Sequence, residues 1–106
     1  MMELKDIQNK FHDFLKERNW LEFSANDVLL HLYEELGEIG DHLLFKSGYK
    51  TENGHKKPKK GDLQREFAQA FSLFLQLCIY LDIDLEKAWH EEISKMKKRF
   101  PIDTQK

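Results

Sequence analysis

Apolar residues recur at three- and four-residue intervals along four stretches of the chain, and that spacing predicts four amphipathic helices. The first covers about residues 3 to 19, where Leu4, Ile7, Phe11, Phe14 and Leu15 form one stripe. The second begins after Ser24, a good N-cap, with Asp27 at the capping-box position. Its expected core stripe is Val28, Leu29, Leu32, Leu36, Ile39 and Leu43. Gly37 and Gly40 weaken this helix by about 1 kcal/mol each relative to Ala, and leave room for a helix or ligand to come close. The third helix follows Asp62 as N-cap and reaches about Leu81; it is apolar on nearly every side, which predicts a central, buried helix. The fourth follows Asp84 and ends at Phe100, because Pro101 cannot continue it.

Between the second and third helices runs KSGYKTENGHKKPKKG, residues 46 to 61, with three glycines, one proline and six lysines. It has no periodicity and reads as a flexible loop. With no strand alternation and no tandem repeat, the fold class is all-α, a four-helix bundle or a close relative, forming a single domain over residues 1–106. A lone chain of this size buries only a modest share of its surface, so completion of the core by dimerisation is expected.

Composition narrows the function classes. Hydrophobic residues make up 41% and charged residues 34%, the balance of a globular domain, not of a disordered chain. The net charge of −2 supplies no general attraction to nucleic acid, so anion binding must be local. The longest apolar run, Phe67 to Leu81, is broken by Gln69, Ser72 and Gln76, and does not suit a bilayer. The single cysteine, Cys78, lies in an apolar run and excludes an intrachain disulfide, which points to a reducing, cytoplasmic setting.

The chemistry concentrates on the second helix. Glu34, Glu35, Glu38, Asp41 and His42 cluster there, with Glu35 and Glu38 on one side and His31 and His42 extending that side at each end. Carboxylates about 4 Å apart repel by about 4 kcal/mol at an effective dielectric of about 20. A proton, a basic side chain or a hard divalent cation relieves that repulsion. Such a cluster reads either as a solvated acidic face or as half of a cation cage. On the third helix, Glu66 and Gln69 are also three apart; if the two helices are antiparallel neighbours, these four side chains converge. Read alone, Glu66 equally suits a helix N-terminus, and Gln69 an interhelical hydrogen bond. Lys95 and Arg99 offer phosphate-binding charge or a solvated last turn, and Trp20 offers a stacking surface or turn packing. A histidine–glutamate site for iron or manganese is a weaker reading, since the Glu-x-x-His spacing of ferritin-like sites is absent.

Three separated pieces resemble the MazG-like nucleoside triphosphate pyrophosphohydrolases, particularly the dCTP pyrophosphatase-type branch. FLKERNWLEFSANDVLLHLYEELGEIGDHLLF is similar to that branch's opening helices. Within it, EELGEI matches the family's EExxE motif, and QREFAQAF falls where ExxD belongs. IDLEKAWHEEISKMKKRFP resembles the closing helix. The resemblance implies an all-α NTP pyrophosphatase fold, assembled as a homodimer or homotetramer. It implies Mg²⁺, or Mn²⁺, held by Glu35, Glu38, Glu66 and the residue at 69, and cleavage of a nucleoside triphosphate to monophosphate and pyrophosphate. By position, Trp20 and Phe45 match base-pocket aromatics, and Arg99, with Lys95 nearby, matches the phosphate-binding end. The metal motif is degenerate: Gln69 replaces the usual Asp, and Met96 and Glu92 replace Asn and Lys. A catalytically inactive nucleotide-binding or interaction module is therefore the alternative expectation.

Overall fold

Asn19 and Asp82 are the only non-glycine residues with positive φ among those described, at 59° and 55°, and each ends a helix. The first helix, α1, spans Leu4–Glu17. Beyond it the Trp20 amide donates to Leu15 O at 2.9 Å and the Asn19 amide to Lys16 O at 3.2 Å. This is the Schellman pattern, which satisfies two terminal carbonyls through one left-handed residue. The same device closes α3 (Asp62–Tyr80), with Ile83 donating to Cys78 O at 2.8 Å and Asp82 to Ile79 O at 3.3 Å. The computed structural model describes residues 2–59 and 62–102.

Helix starts follow the sequence closely. In α2, Ala25–Lys46, the Ser24 hydroxyl accepts from the Asp27 amide at 3.1 Å. In α4, Leu85–Arg99, the Asp84 carboxylate accepts from the Lys87 amide at 3.2 Å. That hydrogen bond, ahead of the Lys5 ammonium, holds the Asp84 acid below its ordinary range. Asp62 differs from expectation: it is the first residue of α3, not the cap before it, and an acid in the first turn suits the helix dipole. Residues 60 and 61, where a cap would fall, lie outside the described residues.

The architecture is all-α and bundle-like, with no strand among the described residues. The main packing is α2 against α3; α1 packs on α3, and α4 packs on α1. His42, late in α2, meets Glu66, early in α3, while Val28, early in α2, shares a cavity with Gln76, late in α3. The two helices are therefore antiparallel. Val28, Leu32, Ile39, Ala70 and Leu73 form the core between them, and Leu15 of α1 is fully buried.

The radius of gyration is 18.1 Å, against about 13 Å for a compact chain of about 100 residues. α4 turns away from α3 by 100° and buries no residue completely. It is held at its start by Gln8, whose side-chain amide donates to Ile83 O at 2.8 Å and whose Oε1 accepts from the Leu85 amide at 3.2 Å.

This openness corrects three expectations. Leu29, Leu36 and Leu43 of the expected α2 stripe are exposed, because α3 covers only the narrower face bearing Val28, Leu32 and Ile39. α3 is central, yet Phe67, Phe71 and Phe74 are exposed, left uncovered by the described helices. Gly37 and Gly40 meet nothing within 4 Å of where a Cβ would lie, so no close approach uses them among the described residues. No single described helix is long and apolar enough to cross a membrane.

Candidate functional site

Glu35 lies on α2 between Leu32 and Ile39, both in the buried stripe, and is itself only 9% exposed. Its position one turn from each of those residues carries the carboxylate into the seam with α3. Oε1 stands 3.4 Å from Nε2 of His31, one turn earlier. Oε2 is buried and has no hydrogen-bond partner. Burial, and next the neighbouring Glu38 carboxylate, push the Glu35 acid above its ordinary range, with His31 partly opposing them. A buried carboxylate with an unsatisfied oxygen beside a second acid is costly unless it takes a proton or a cation.

A second histidine–glutamate contact crosses the seam. Nε2 of His42 and Oε2 of Glu66 stand 3.0 Å apart, and both residues are largely buried. The two atoms lack the alignment of a hydrogen bond, so each is also a buried polar atom without such a partner.

A cavity of about 810 Å³ opens beside Glu35. Phe11, Phe14, Trp20 and Phe23 supply aromatic wall, and His31, Glu35 and Gln69 supply polar groups. Phe11 and Phe14 stack at 5.5 Å, and Trp20 meets Phe14 edge-on at 5.9 Å. Trp20 is fixed from the other side, because the Tyr80 hydroxyl donates to its carbonyl and in turn accepts from Gln76 at 3.0 Å. A half-exposed indole on a pinned backbone in an apolar cavity is a ready surface for a flat ring.

Around the helix, Glu38, Asp41 and Glu66 line a separate, more polar depression of about 580 Å³ together with Lys56, Lys57 and Lys59 of the interhelical loop. The loop is tied back to α2 by Lys50, whose Nζ donates to Asp41 Oδ1 at 2.8 Å. The lysines that the fold brings beside the acids are thus those of the loop.

The expected site residues are distributed unevenly. Glu35 and Gln69 share the aromatic cavity with Trp20, whereas Glu38 and Glu66 share the lysine-lined depression. Phe45 is half-buried near the end of α2, with its ring edge-on to His55 at 6.5 Å. Lys95 and Arg99 line a third depression on α4 with Glu92 and Met96, sharing no residue with either acid-bearing hollow. Among the described residues, the one trio of side chains whose ligand atoms lie within 4.8 Å of one another is His31, Glu34 and Glu35.

Two histidine contacts at the seam are only weakly signalled by the sequence. His31 was legible as a neighbour of Glu35 four residues away, and its direct contact follows from helical spacing. The pairing of His42 with Glu66 depends on the register between two helices, and no local pattern carries that. Carboxylate oxygens such as those of Glu35 and Glu66 fit a divalent cation, and each of these residues has one buried oxygen without a hydrogen-bond partner. The sequence matches no known family model, and no curated protein matches it.

Proposed function

We propose that this chain is a divalent-metal-dependent nucleoside triphosphate pyrophosphohydrolase of MazG-like type, weakened by Gln69 and acting as a homo-oligomer. The observation that carries this reading is Glu35: a nearly buried carboxylate with one unsatisfied oxygen, crowded by Glu38, at the edge of an aromatic cavity large enough for a nucleoside. The resemblance of EELGEI and QREFAQAF to the family's two acidic half-motifs supports it. Mg²⁺ or Mn²⁺ bound at these carboxylates would offset triphosphate charge and make a water more acidic.

The chain's own residues have separable tasks. Glu35 and Glu38 would hold a cation from α2, and Glu66 and Gln69 would approach it from α3. Gln69 offers an amide oxygen without charge, so it lowers cation affinity without closing the position. Trp20 stacks on the base, and Phe14 and Phe23 keep water from that side of the cavity. Lys56, Lys57 and Lys59 neutralise phosphate from the loop. Lys95 and Arg99 reach a triphosphate only if a second chain brings α4 to the site; the exposed Leu29, Phe71 and Phe74 provide apolar area for that pairing. Water adds at the α-phosphorus, the bond to the bridging oxygen breaks, and monophosphate and pyrophosphate leave.

A second reading has an observation of its own. The three glutamates expected as ligands divide between two hollows within the single chain. That division favours a nucleotide-binding module that has lost catalysis. Pyrophosphate release from a panel of ribo- and deoxyribonucleoside triphosphates with Mg²⁺ or Mn²⁺ separates the two. The first reading expects pyrophosphate and monophosphate in equal amounts, lost in Glu35→Gln. Failure of every triphosphate, with a nucleotide still raising the melting temperature, supports the second. Failure of both signals removes both.

A further inference from the structure

Three ligand atoms of the right kinds gather on one face of α2. Nε2 of His31 is 3.4 Å from Oε1 of Glu35, and His31, Glu34 and Glu35 each offer one ligand atom, the three lying within 4.8 Å of one another. Ligands about 2.0–2.2 Å from a common ion stand about 3–4.4 Å apart, so this set needs little adjustment to close on one. The acids alone would be an ordinary helix face. What distinguishes them is that Glu35, unlike the exposed Glu34, keeps only 11% of its side chain exposed, and its Oε2 is buried with no hydrogen-bond partner. His31 is half exposed, which leaves its ring free to turn onto an ion.

We propose that His31 is a metal ligand, and that the ion seated at His31, Glu34 and Glu35 is a first-row transition divalent ion in preference to Mg²⁺. The proposal rests on the functional reading above for the presence of an ion beside Glu35, and adds the nitrogen donor that selects its kind. Mg²⁺ favours oxygen ligands and gives up water reluctantly, whereas imidazole suits the transition ions. One nitrogen with two carboxylates is therefore a mixed site that Mn²⁺, Fe²⁺ or Zn²⁺ fills better. The arrangement also offsets the uncharged Gln69, since affinity lost on α3 is regained on α2 through a ligand the acidic motif does not include.

The test is Mn²⁺ titration of the full chain, followed by loss of the free-ion electron paramagnetic resonance signal, with pulsed measurements for coupling to nitrogen. The wild-type chain is expected to bind Mn²⁺ about tenfold tighter than Mg²⁺ and to show one imidazole coupling. His31→Gln should lose the coupling and weaken Mn²⁺ by about tenfold or more, since even outer-shell partners are commonly worth about 10–100-fold, while shifting Mg²⁺ affinity by less than about twofold. His42→Gln should keep the coupling. No coupling in the wild type, coupling that survives His31→Gln, or equal weakening of both ions in that variant overturns the proposal. Coupling in a chain that hydrolyses no nucleotide leaves this site standing and removes the pyrophosphohydrolase reading; turnover without coupling does the reverse.

Discussion

Glu35→Gln should stabilise the metal-free protein and abolish its stabilisation by metal. The wild-type carboxylate is nearly buried, lacks a partner on Oε2, and has Glu38 one turn away. Two carboxylates about 4 Å apart repel by about 4 kcal/mol at an effective dielectric of about 20. Glu38 is exposed, and solvent screening reduces its share to about 1 kcal/mol. Because the Glu35 acid is raised on folding, the native state holds more protons than the unfolded state above the usual glutamate range, and stability falls as pH rises through that window. The penalty is absent below the unfolded value and complete above the folded one. With metal chelated, Glu35→Gln should match the wild type at pH 4 and exceed it by about 1 kcal/mol at pH 8, or about 4–8 °C in melting temperature. With Mn²⁺ at a hundred times its dissociation constant, the wild type gains about 2.7 kcal/mol and the order reverses. Thermal melts at both pH values, with chelator or Mn²⁺, provide the check. A variant less stable than the wild type at pH 8 without metal would show that Glu35 already has a compensating partner, and the cation-site reasoning would fail.

Other substitutions probe separate parts of the account. Gln69→Asp restores a ligand charge worth about 1–4 kcal/mol, so calorimetry should find Mg²⁺ bound about tenfold tighter or more, with any hydrolysis raised; unchanged affinity places residue 69 outside the cation site. Gln8→Ala removes both hydrogen bonds at the start of α4 and should cost about 1–3 kcal/mol, with amide exchange accelerated in α4 and little changed in the α2–α3 pair. Asp82→Gly relieves a left-handed residue at the end of α3 and should raise stability by about 1 kcal/mol in urea melts; a loss would mean the Asp82 side chain contributes more than its backbone costs. Gly40→Ala meets open space in the chain and should add about 1 kcal/mol; destabilisation that deepens with protein concentration would show a second chain packed against that position.

The helices were legible because their signals are local. Ser24 and Asp84 cap where a short polar side chain precedes an apolar period, and Leu15, Val28, Leu32 and Ile39 are buried where that period puts them. Glu35 was legible in the same way, since its neighbours on the helix face are core residues. The width of the buried face was not legible: Leu29, Leu36 and Leu43 satisfy the same period, and only the bulk of the opposing helix decides that they stay outside. The site was legible as a set of residue types and less so as an arrangement. Glu66 meets His42 and shares a hollow with Glu38, while Gln69 shares one with Glu35, because register between α2 and α3 follows from side-chain packing along the whole seam. Lys95 and Arg99 show the same limit, since the direction of α4 is set by its clasp to Gln8 and not by its own sequence.

The central claim is that a divalent ion binds in the α2–α3 seam at Glu35. A crystal grown with Mn²⁺ and a non-hydrolysable nucleoside triphosphate, measured at the manganese absorption edge, tests it directly. The account predicts an anomalous peak within coordinating distance of a Glu35 oxygen, with the base against Trp20. A peak confined to other surface acids, or a nucleotide bound with Glu35 turned away from any ion, would contradict it.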